Sequence, residues 1–395
     1  MVAKIGYKIS IIYLFLFLMF IAISIKPMQT PIADGKCYHE IAANYKLFLK
    51  GEMSGLPSYL HRDRILPAPL AGVVAEIFNI PVSVAFRIVA LLVVALFYYF
   101  SWLLLSCKVT NVVALTGLWL CYTINSYSLT SNLFNVYQLT DSMTYLWTIL
   151  IAISFVYKKL FLFIPISLLA IITKQNLWFL VLPGYLFFLL HYFKVRDTKK
   201  LSLTLVFGLI VLGAILLMYF TEAGSIKRSM TYSLGKIFKL STYKGRELHV
   251  LKELLWIYLP ILPIIFIKYR KVYKKCLEYF PLVFFFAFNL IVALPLALIE
   301  PTMDFYTRIM QQATWPICAY VIVLIVNDLD RLKNRLFIWM LYIAPLLFGF
   351  THLYFFTISF KPLFVFPSAS RHLLVGVLII AYFIKYRERK VKEIA

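Results

Sequence analysis

The feature that most limits how this chain can fold is a series of long apolar segments, separated by short segments that carry most of the charge. A run of about 20 apolar residues is long enough to cross the hydrocarbon core of a bilayer as a helix. Hydrophobic side chains make up 62% of the residues, well above the roughly 45–50% of ordinary soluble domains. The sequence therefore predicts an all-α polytopic membrane protein.

The apolar segments predict about twelve transmembrane helices, several of them nearer 15 than 20 residues long. We interpret the first as a retained helix, because no small-residue cleavage site of a secretory signal follows it cleanly. Prolines at both ends of residues 65–81 disfavour a regular helix start and predict a short re-entrant or interfacial helix. The predicted spans are residues 9–25, 82–106, 109–127, 142–157, 160–173, 177–193, 201–220, 254–267, 277–298, 314–326, 336–357 and 372–384.

Basic residues cluster in alternate segments between these spans, and this alternation predicts the orientation of the chain. Cytoplasmic loops carry an excess of Lys and Arg, so the basic clusters are expected inside, together with both termini. The long outer loop 221–253 also carries basic residues, which the rule would place inside. Long loops translocate largely regardless of charge, so this loop does not contradict the orientation. The inner clusters are residues 108, 158–159, 194–200, 268–275, 330–335 and 385–392.

The chain is predicted to be one membrane-embedded domain, residues 1–395, with two long outer loops at 26–64 and 221–253. Its net charge of +23 is divided among short clusters, which fits membrane topology, so no nucleic-acid partner is expected. Compact loops favour a bacterial inner membrane over the membrane of the endoplasmic reticulum. The five cysteines have no CxxC spacing and predict neither a disulfide framework nor a zinc site.

Within the first outer loop, residues 34–67 form the most polar segment of the chain. Residues 36–50 place apolar side chains at helical spacing, which predicts an amphipathic helix lying in the membrane interface. Its apolar face comprises Tyr38, Ile41, Tyr45, Phe48 and Leu49. Asp34 precedes that helix at a position suited to an N-cap. A carboxylate beside apolar walls can instead act as a general base, because burial raises its pKa toward the working pH. Both interpretations of Asp34 stay open.

Basic residues near the outer ends of predicted spans are candidate ligands for a phosphate. Arg62 and Arg64 can hold a phosphate through bidentate, charge-assisted bonds, or can anchor the chain to lipid headgroups. Lys174 and Gln175 join two spans directly, and a snorkelling anchor is the alternative for the lysine. Arg308 follows Asp304 by four residues on a short outer loop, where a structural ion pair is the alternative.

Asp141 opens a predicted span and is a second acid able to face the same cavity. Together with Asp34 and Asp304, it could bind Mg²⁺ or Mn²⁺ through waters. No spacing in the sequence requires such a site, so we assign no metal ligands.

Three short motifs carry a resemblance to a known family: Asp34 within the first outer loop, Arg64 in the sequence R-I-L-P, and the T-K-Q turn at residues 173–175. They are similar to motifs of the GT-C superfamily, polytopic membrane glycosyltransferases that use polyprenyl-phosphate-linked sugars as donors. Many members have an acidic pair in the first loop, whereas here the next acid after Asp34 is Glu40.

The resemblance implies a transferase that moves a sugar to a glycan, lipid or protein acceptor on the outer face of the membrane. It implies that Asp34 is the catalytic base and that the leaving phosphate lies among basic residues. The residues that we assign to substrate binding are His39, Glu40, Arg62, Arg64, Asp141, Lys174, Gln175 and Arg308.

Alternative functions predict different features. A polysaccharide polymerase of the O-antigen type would place functional arginines in the loop 221–253. A transporter or flippase for lipid-linked sugars would show two related halves and charged or broken helices at mid-membrane. A lipid-linked acyltransferase would need a membrane-embedded histidine, and His191 falls at a predicted cytoplasmic helix end.

Overall fold

The computed structural model describes part of the chain, and all of its regular elements there are helices. Continuous stretches cover residues 34–53, 64–109, 139–174 and 177–220, and shorter pieces lie at 7–8, 10–12, 14–16, 31, 111–112, 115–116, 119, 136–137, 284, 287, 319, 323–324 and 326–327. The helices are α1 (Asp34–Ala43), α2 (Tyr45–Leu49), α3 (Pro67–Phe78), α4 (Val82–Ser106), α5 (Leu139–Val156), α6 (Leu160–Thr173), α7 (Trp178–Val195) and α8 (Thr198–Phe220).

Among the described residues, α4, α5, α7 and Thr198–Leu216 of α8 are long and apolar enough to cross a membrane. Helix α6 has 14 residues, about 21 Å at 1.5 Å per residue. The predicted spans at 82–106, 142–157, 160–173, 177–193 and 201–220 coincide with these helices. The described part is thus a helical membrane protein, and the predicted spans at 9–25, at 109–127 and beyond residue 253 lie largely or wholly outside it.

Helix α5 is central to the bundle, because most of its residues are buried and it packs against both α4 and α6. Its contacts with α4 show a parallel arrangement. The ring centroids of Phe86 and Tyr137 are 5.1 Å apart, and those of Phe97 and Tyr145, which come later in both segments, are 5.5 Å apart. Two parallel helices in one chain require a crossing between them, which the predicted span at 109–127 would supply.

Helices α5 to α8 form an alternating series in which each helix returns alongside the previous one. Phe155 and Phe163 meet across the turn between α5 and α6, with ring centroids 5.7 Å apart. The Tyr185 hydroxyl of α7 lies 3.1 Å from Ser167 Oγ of α6. The start of α5 and the end of α6 therefore lie at one end of the bundle, and the turns α5–α6 and α7–α8 lie at the other.

Helix α3 does not cross the bundle. Its 12 residues span about 18 Å, and both of its ends lie at the end where α5 begins. Before α3, the Leu66 N–H donates to Ile172 O of α6 at 3.3 Å. After α3, three residues lead to Val82 at the start of α4. This placement agrees with the predicted re-entrant or interfacial helix.

The prediction that prolines disfavour a regular start of this helix is wrong. Pro67 is the first residue of α3, and Pro69 also lies in its first turn. The first N–H groups of a helix have no intrahelical acceptor, and the fixed φ of proline is already helical. Proline in the first turn therefore costs little.

The predicted amphipathic helix 36–50 is two helices, because the chain breaks at Asn44, which has φ −118° and ψ 33°. Tyr38, Ile41 and Phe48 are buried, as the spacing predicts. Leu49 was expected on the same face and is 55% exposed. The break at Asn44 changes the direction of α2, so the regular spacing no longer holds at its end.

Close packing of α1 against α3 depends on Gly72. A Cβ at this position would lie 2.3 Å from Ala42 O and 2.8 Å from the Tyr45 ring. We therefore expect Gly72→Ala to lower the free energy of unfolding by about 1–3 kcal/mol, the usual cost of overpacking. Chemical denaturation in detergent measures this change.

Gly213→Ala is the matched control, because nothing lies within 4 Å of a Cβ at that helical position. It is expected to leave stability unchanged or slightly higher, since alanine favours helix more than glycine does. Equal stability of the Gly72→Ala variant and the wild type would show that α1 and α3 do not pack this closely.

Candidate functional site

A buried ion pair joins α5 to the end of α6. Lys174 Nζ lies 2.7 Å from Asp141 Oδ1, and the two side chains are only 7% and 13% exposed. Lys174 follows α6 in an extended conformation, with φ −157° and ψ 130°. Next to it, Trp147 Nε1 donates to Thr173 Oγ1 at 2.8 Å. These contacts hold the lysine against α5, so the alternative of a lysine snorkelling at the surface is wrong.

Tyr137 connects the start of α1 to the start of α5. A Cβ on Gly35 would lie 3.1 Å from Tyr137 Cβ, so glycine permits the close approach here. The His39 ring meets the Tyr137 ring edge-on at 5.8 Å. Burial raises the pKa of Tyr137. The first turn of α1, which opens with Asp34, therefore lies against the residues that precede Asp141.

Arg64 belongs to the same end of the bundle. Its guanidinium donates a hydrogen bond to the Tyr38 hydroxyl of α1 and lies 5.9 Å from the centre of that ring. Two residues later, Leu66 is hydrogen-bonded to Ile172, which is two residues before Lys174. Arg64 is thereby placed between α1 and the end of α6.

We call this region the polar end, defined by residues 34–39, Arg64, Asp141 and Lys174. It brings together five of the residues predicted from sequence: the backbone of Asp34, and the side chains of His39, Arg64, Asp141 and Lys174. Glu40 lies on the same helix and is exposed. The other three predicted ligands, Arg62, Gln175 and Arg308, lie outside the described residues.

Two buried hydroxyl groups beside Asp141 were missed by the sequence reasoning. Thr140 Oγ1 and Ser142 Oγ have no hydrogen-bond partner among the described residues. A buried polar atom without a partner costs about 1–3 kcal/mol, so each is a place where a bound molecule can supply the missing bond. The signal was present as three consecutive polar residues, Thr140, Asp141 and Ser142, at the start of an apolar run.

Tyr137 was also missed, because it belongs to no motif and its role depends on packing between distant segments. No spacing in the sequence links it to Gly35 or His39.

The predicted Mg²⁺ or Mn²⁺ is neither supported nor tested by this part of the chain. In the described residues, no group of three or more His, Cys, Asp and Glu side chains could hold a metal ion. Asp304 lies outside these residues, and the side-chain position of Asp34 is not described. Cys37 and Cys107 form no disulfide with another described residue.

The chemistry available at the polar end is suited to an anion next to a hydroxyl compound. A guanidinium and an ammonium can bind phosphate oxygens through charge-assisted hydrogen bonds. Nearby hydroxyls can donate to or accept from a sugar. The backbone of Asp34, at the start of α1, belongs to the same region.

Comparisons with protein-family models, with curated proteins and with solved structures gave no match for this chain. The resemblance to the GT-C superfamily consequently rests on the sequence motifs around Asp34, Arg64 and Lys174. What the structure adds is that the segments bearing these motifs meet at one end of a helical membrane bundle.

Proposed function

We propose that this protein is a GT-C-type glycosyltransferase that moves a sugar from a polyprenyl-phosphate-linked donor to a glycan, lipid or protein acceptor. The observation that carries the proposal is the meeting of the three motif segments at the polar end. Helix α1 contacts α5 through Tyr137, Arg64 contacts α1 through Tyr38, and Lys174 contacts Asp141.

The polar end is proposed to face the outside of the membrane. At the opposite end, the Tyr192 hydroxyl donates to Lys158 O at 3.2 Å, which brings two basic turns of the chain together. Because cytoplasmic segments carry the excess of Lys and Arg, that end is assigned to the cytoplasm. Both termini are then cytoplasmic, and a bacterial inner membrane remains the favoured location.

In the proposed reaction, an acceptor hydroxyl attacks the anomeric carbon of the donor sugar. Asp34 takes the hydroxyl proton as the new carbon–oxygen bond forms. The bond between the anomeric carbon and the phosphate oxygen breaks, and polyprenyl phosphate leaves with the bonding electrons. The negative charge on this phosphate is stabilised by Arg64 and Lys174, whose positive charges are already in place.

Asp141 is proposed to position Lys174. A buried ammonium is costly unless it is paired, and the 2.7 Å contact with Asp141 supplies that partner and fixes the direction of the Lys174 side chain. The phosphate would bind to the Lys174 ammonium, while the hydroxyl of Thr140 or of Ser142 contacts the sugar. Asp141 therefore acts through Lys174 and has no direct role in the proton transfer.

The lipid part of the donor needs apolar surface next to the cation. Ile65 follows Arg64 directly and is exposed, as are Ile77 and Phe78 at the far end of α3. An interfacial helix with an exposed apolar face can guide a prenyl chain that lies in the bilayer.

The test is sugar transfer by the purified protein in vesicles, with polyprenyl-phosphate-linked sugars compared with nucleotide sugars as donors. We expect release of polyprenyl phosphate and no use of the nucleotide sugars. Movement of intact donor across the membrane without bond cleavage would favour the transporter alternative. Extension of a lipid-linked glycan by transfer of whole repeat units would favour the polymerase.

Arg64→Gln is expected to raise the donor KM by about 10-fold or more, because a hydrogen bond from a charged group contributes about 1.5–3 kcal/mol. Donor titration in the same vesicles measures this. Lys50→Gln is the control, because Lys50 is an exposed basic residue beyond the end of α2. An unchanged KM in Arg64→Gln would identify Arg64 as a headgroup anchor.

A further inference from the structure

Basic side chains are concentrated at the end of the bundle opposite the polar end, which we call the basic end. The turns α5–α6 and α7–α8 are joined there, because the Tyr192 hydroxyl donates to Lys158 O and the Lys200 ammonium lies 5.4 Å from the Tyr192 ring centre. Cys107, after α4, interacts with Tyr157 and raises its pKa. The basic residues of this end are Lys108, Lys158, Lys159, Lys194, Arg196, Lys199 and Lys200.

This end has a large excess of positive charge. Among the described residues 107–109, 157–159 and 194–200 of this end, Asp197 is the one acid, and it is already bound. Its carboxylate lies 2.9 Å from Lys200 Nζ and accepts the Lys200 N–H at 3.1 Å. These bonds lower the pKa of Asp197, so it stays ionised but balances only one of the cations.

Two of the cations occupy backbone positions that glycine would fill at lower cost. Lys158 has φ 51° and Arg196 has φ 58°, both in the left-handed region. Each ends a helix with two backbone hydrogen bonds in the same pattern. In both, the residue after the cation donates its N–H to a carbonyl five residues earlier, from Lys159 to Ser154 at 2.9 Å and from Asp197 to Tyr192 at 3.1 Å. A side chain in this conformation costs roughly 1 kcal/mol relative to glycine. The presence of a cation at both positions, despite this cost, indicates that the positive charge has a function at this end of the bundle.

Apolar side chains lie beside these cations and are largely exposed. Tyr157 precedes Lys158, and Phe161 follows it by three residues. Phe193 and Val195 lie just before Arg196. This combination of cations and exposed apolar side chains suits a molecule that has both an anionic head and hydrocarbon chains. A soluble anion or an acidic protein would leave the apolar side chains unused.

We propose that the basic end is a binding site for an anionic phospholipid. Its phosphate is held by Lys158 and Arg196, and its acyl chains lie along the exposed faces of α6 and α7. Basic pockets between transmembrane helices on the cytoplasmic side recognise anionic headgroups by such charge-assisted bonds. The site does not depend on the proposed transferase reaction, because it lies at the other end of the bundle.

The test compares thermal unfolding of the full chain in nanodiscs of phosphatidylcholine with and without phosphatidylglycerol. For the wild type we expect phosphatidylglycerol to raise Tm by about 3 °C or more. The double variant Lys158→Gly/Arg196→Gly should lose most of this increase. Glycine suits both left-handed positions, so this variant is expected to fold at least as stably as the wild type in phosphatidylcholine.

Asn79→Gly is the matched control. Asn79 has φ 49° and ends α3 with the same bonding pattern, but it is uncharged. It should keep the full response to phosphatidylglycerol.

Three outcomes would overturn the proposal. The first is that the double variant keeps the full increase in Tm. The second is that Asn79→Gly loses the increase as well, which would identify a backbone effect. The third is that soluble glycerol phosphate, added to the protein in phosphatidylcholine nanodiscs, gives the same increase in Tm, which would identify a phosphate site and not a lipid site. Native mass spectrometry adds a direct readout, since wild type should retain phosphatidylglycerol in preference to phosphatidylcholine and the double variant should not.

Discussion

Asp34→Asn is expected to reduce sugar transfer by about 100-fold or more, the usual contribution of a general base. The amide has nearly the same size as the carboxyl group but cannot accept the proton of the acceptor hydroxyl. Asp34 was predicted to precede α1 as its N-cap, but it is the first residue of the helix. Asparagine there loses only the favourable interaction of a carboxylate with the helix dipole, about 0.3–1 kcal/mol, so α1 should still form. Initial rates in vesicles, together with the amount of folded protein recovered, measure both effects.

This variant also separates the two interpretations of Asp34. If the residue only stabilises the first turn of α1, Asp34→Asn should be active, and Asp34→Ala should be less stable by only about 0.3–1 kcal/mol. If it is the base, both variants should be inactive. Glu52→Gln serves as the control, because Glu52 is an exposed acid that follows α2. Full activity of Asp34→Asn would rule out the assignment as base.

Lys174→Met is expected to destabilise the protein by about 3–5 kcal/mol. The Asp141 carboxylate would lose the ammonium that it now contacts at 2.7 Å, and removing one partner of a buried pair leaves a charge that is poorly compensated. The double variant Asp141→Leu/Lys174→Met should recover much of the loss, since apolar residues of similar size often replace a buried pair without penalty. Thermal unfolding of Lys174→Met, Asp141→Leu and the double variant gives the coupling energy.

The pair between Lys46 and Glu76 is the matched control. It is as short, at 2.6 Å, but its side chains are 63% and 53% exposed. The hydrogen bonds from Lys46 and Tyr45 lower the pKa of Glu76, yet water screens an exposed pair. Lys46→Gln should therefore change stability very little. Equal losses in Lys46→Gln and Lys174→Met would contradict the special role of burial.

The same variants separate a structural role of Lys174 from a functional one. A double variant that is stable but inactive would support contact between Lys174 and the donor phosphate. A double variant that is both stable and active would show that the pair serves the fold alone.

The sequence predicted the helices best where hydropathy alone determines them. The predicted span at 82–106 coincides with α4, and the predicted span at 160–173 coincides with α6. A short helix after Arg64 was also predicted, although its proline start was misjudged. The position of a helix depends on the residue types within it, so it can be predicted from a short stretch of sequence.

Contacts between distant segments could not be predicted in the same way. Asp141 and Lys174 were both proposed as ligands, but their direct contact joins residues 33 positions apart. This contact depends on how α5 packs on α6. The position of Tyr137 likewise depends on packing, because its ring lies against His39 of α1 and Phe86 of α4. The sequence indicated which residue types matter, while the pairing of their side chains is decided by helix packing.

The buried ion pair also bears on how the chain enters the membrane. Asp141 and Lys174 stand at the outer ends of two consecutive helices in the proposed orientation, so both charges must be translocated during biosynthesis. Each charge alone costs about 2.5–3.5 kcal/mol at the centre of a membrane helix. Because α5 and α6 form a hairpin that already places the two groups 2.7 Å apart, they can be inserted together as a neutral unit. The contact that positions Lys174 in the mature protein would thus lower the barrier to inserting the hairpin.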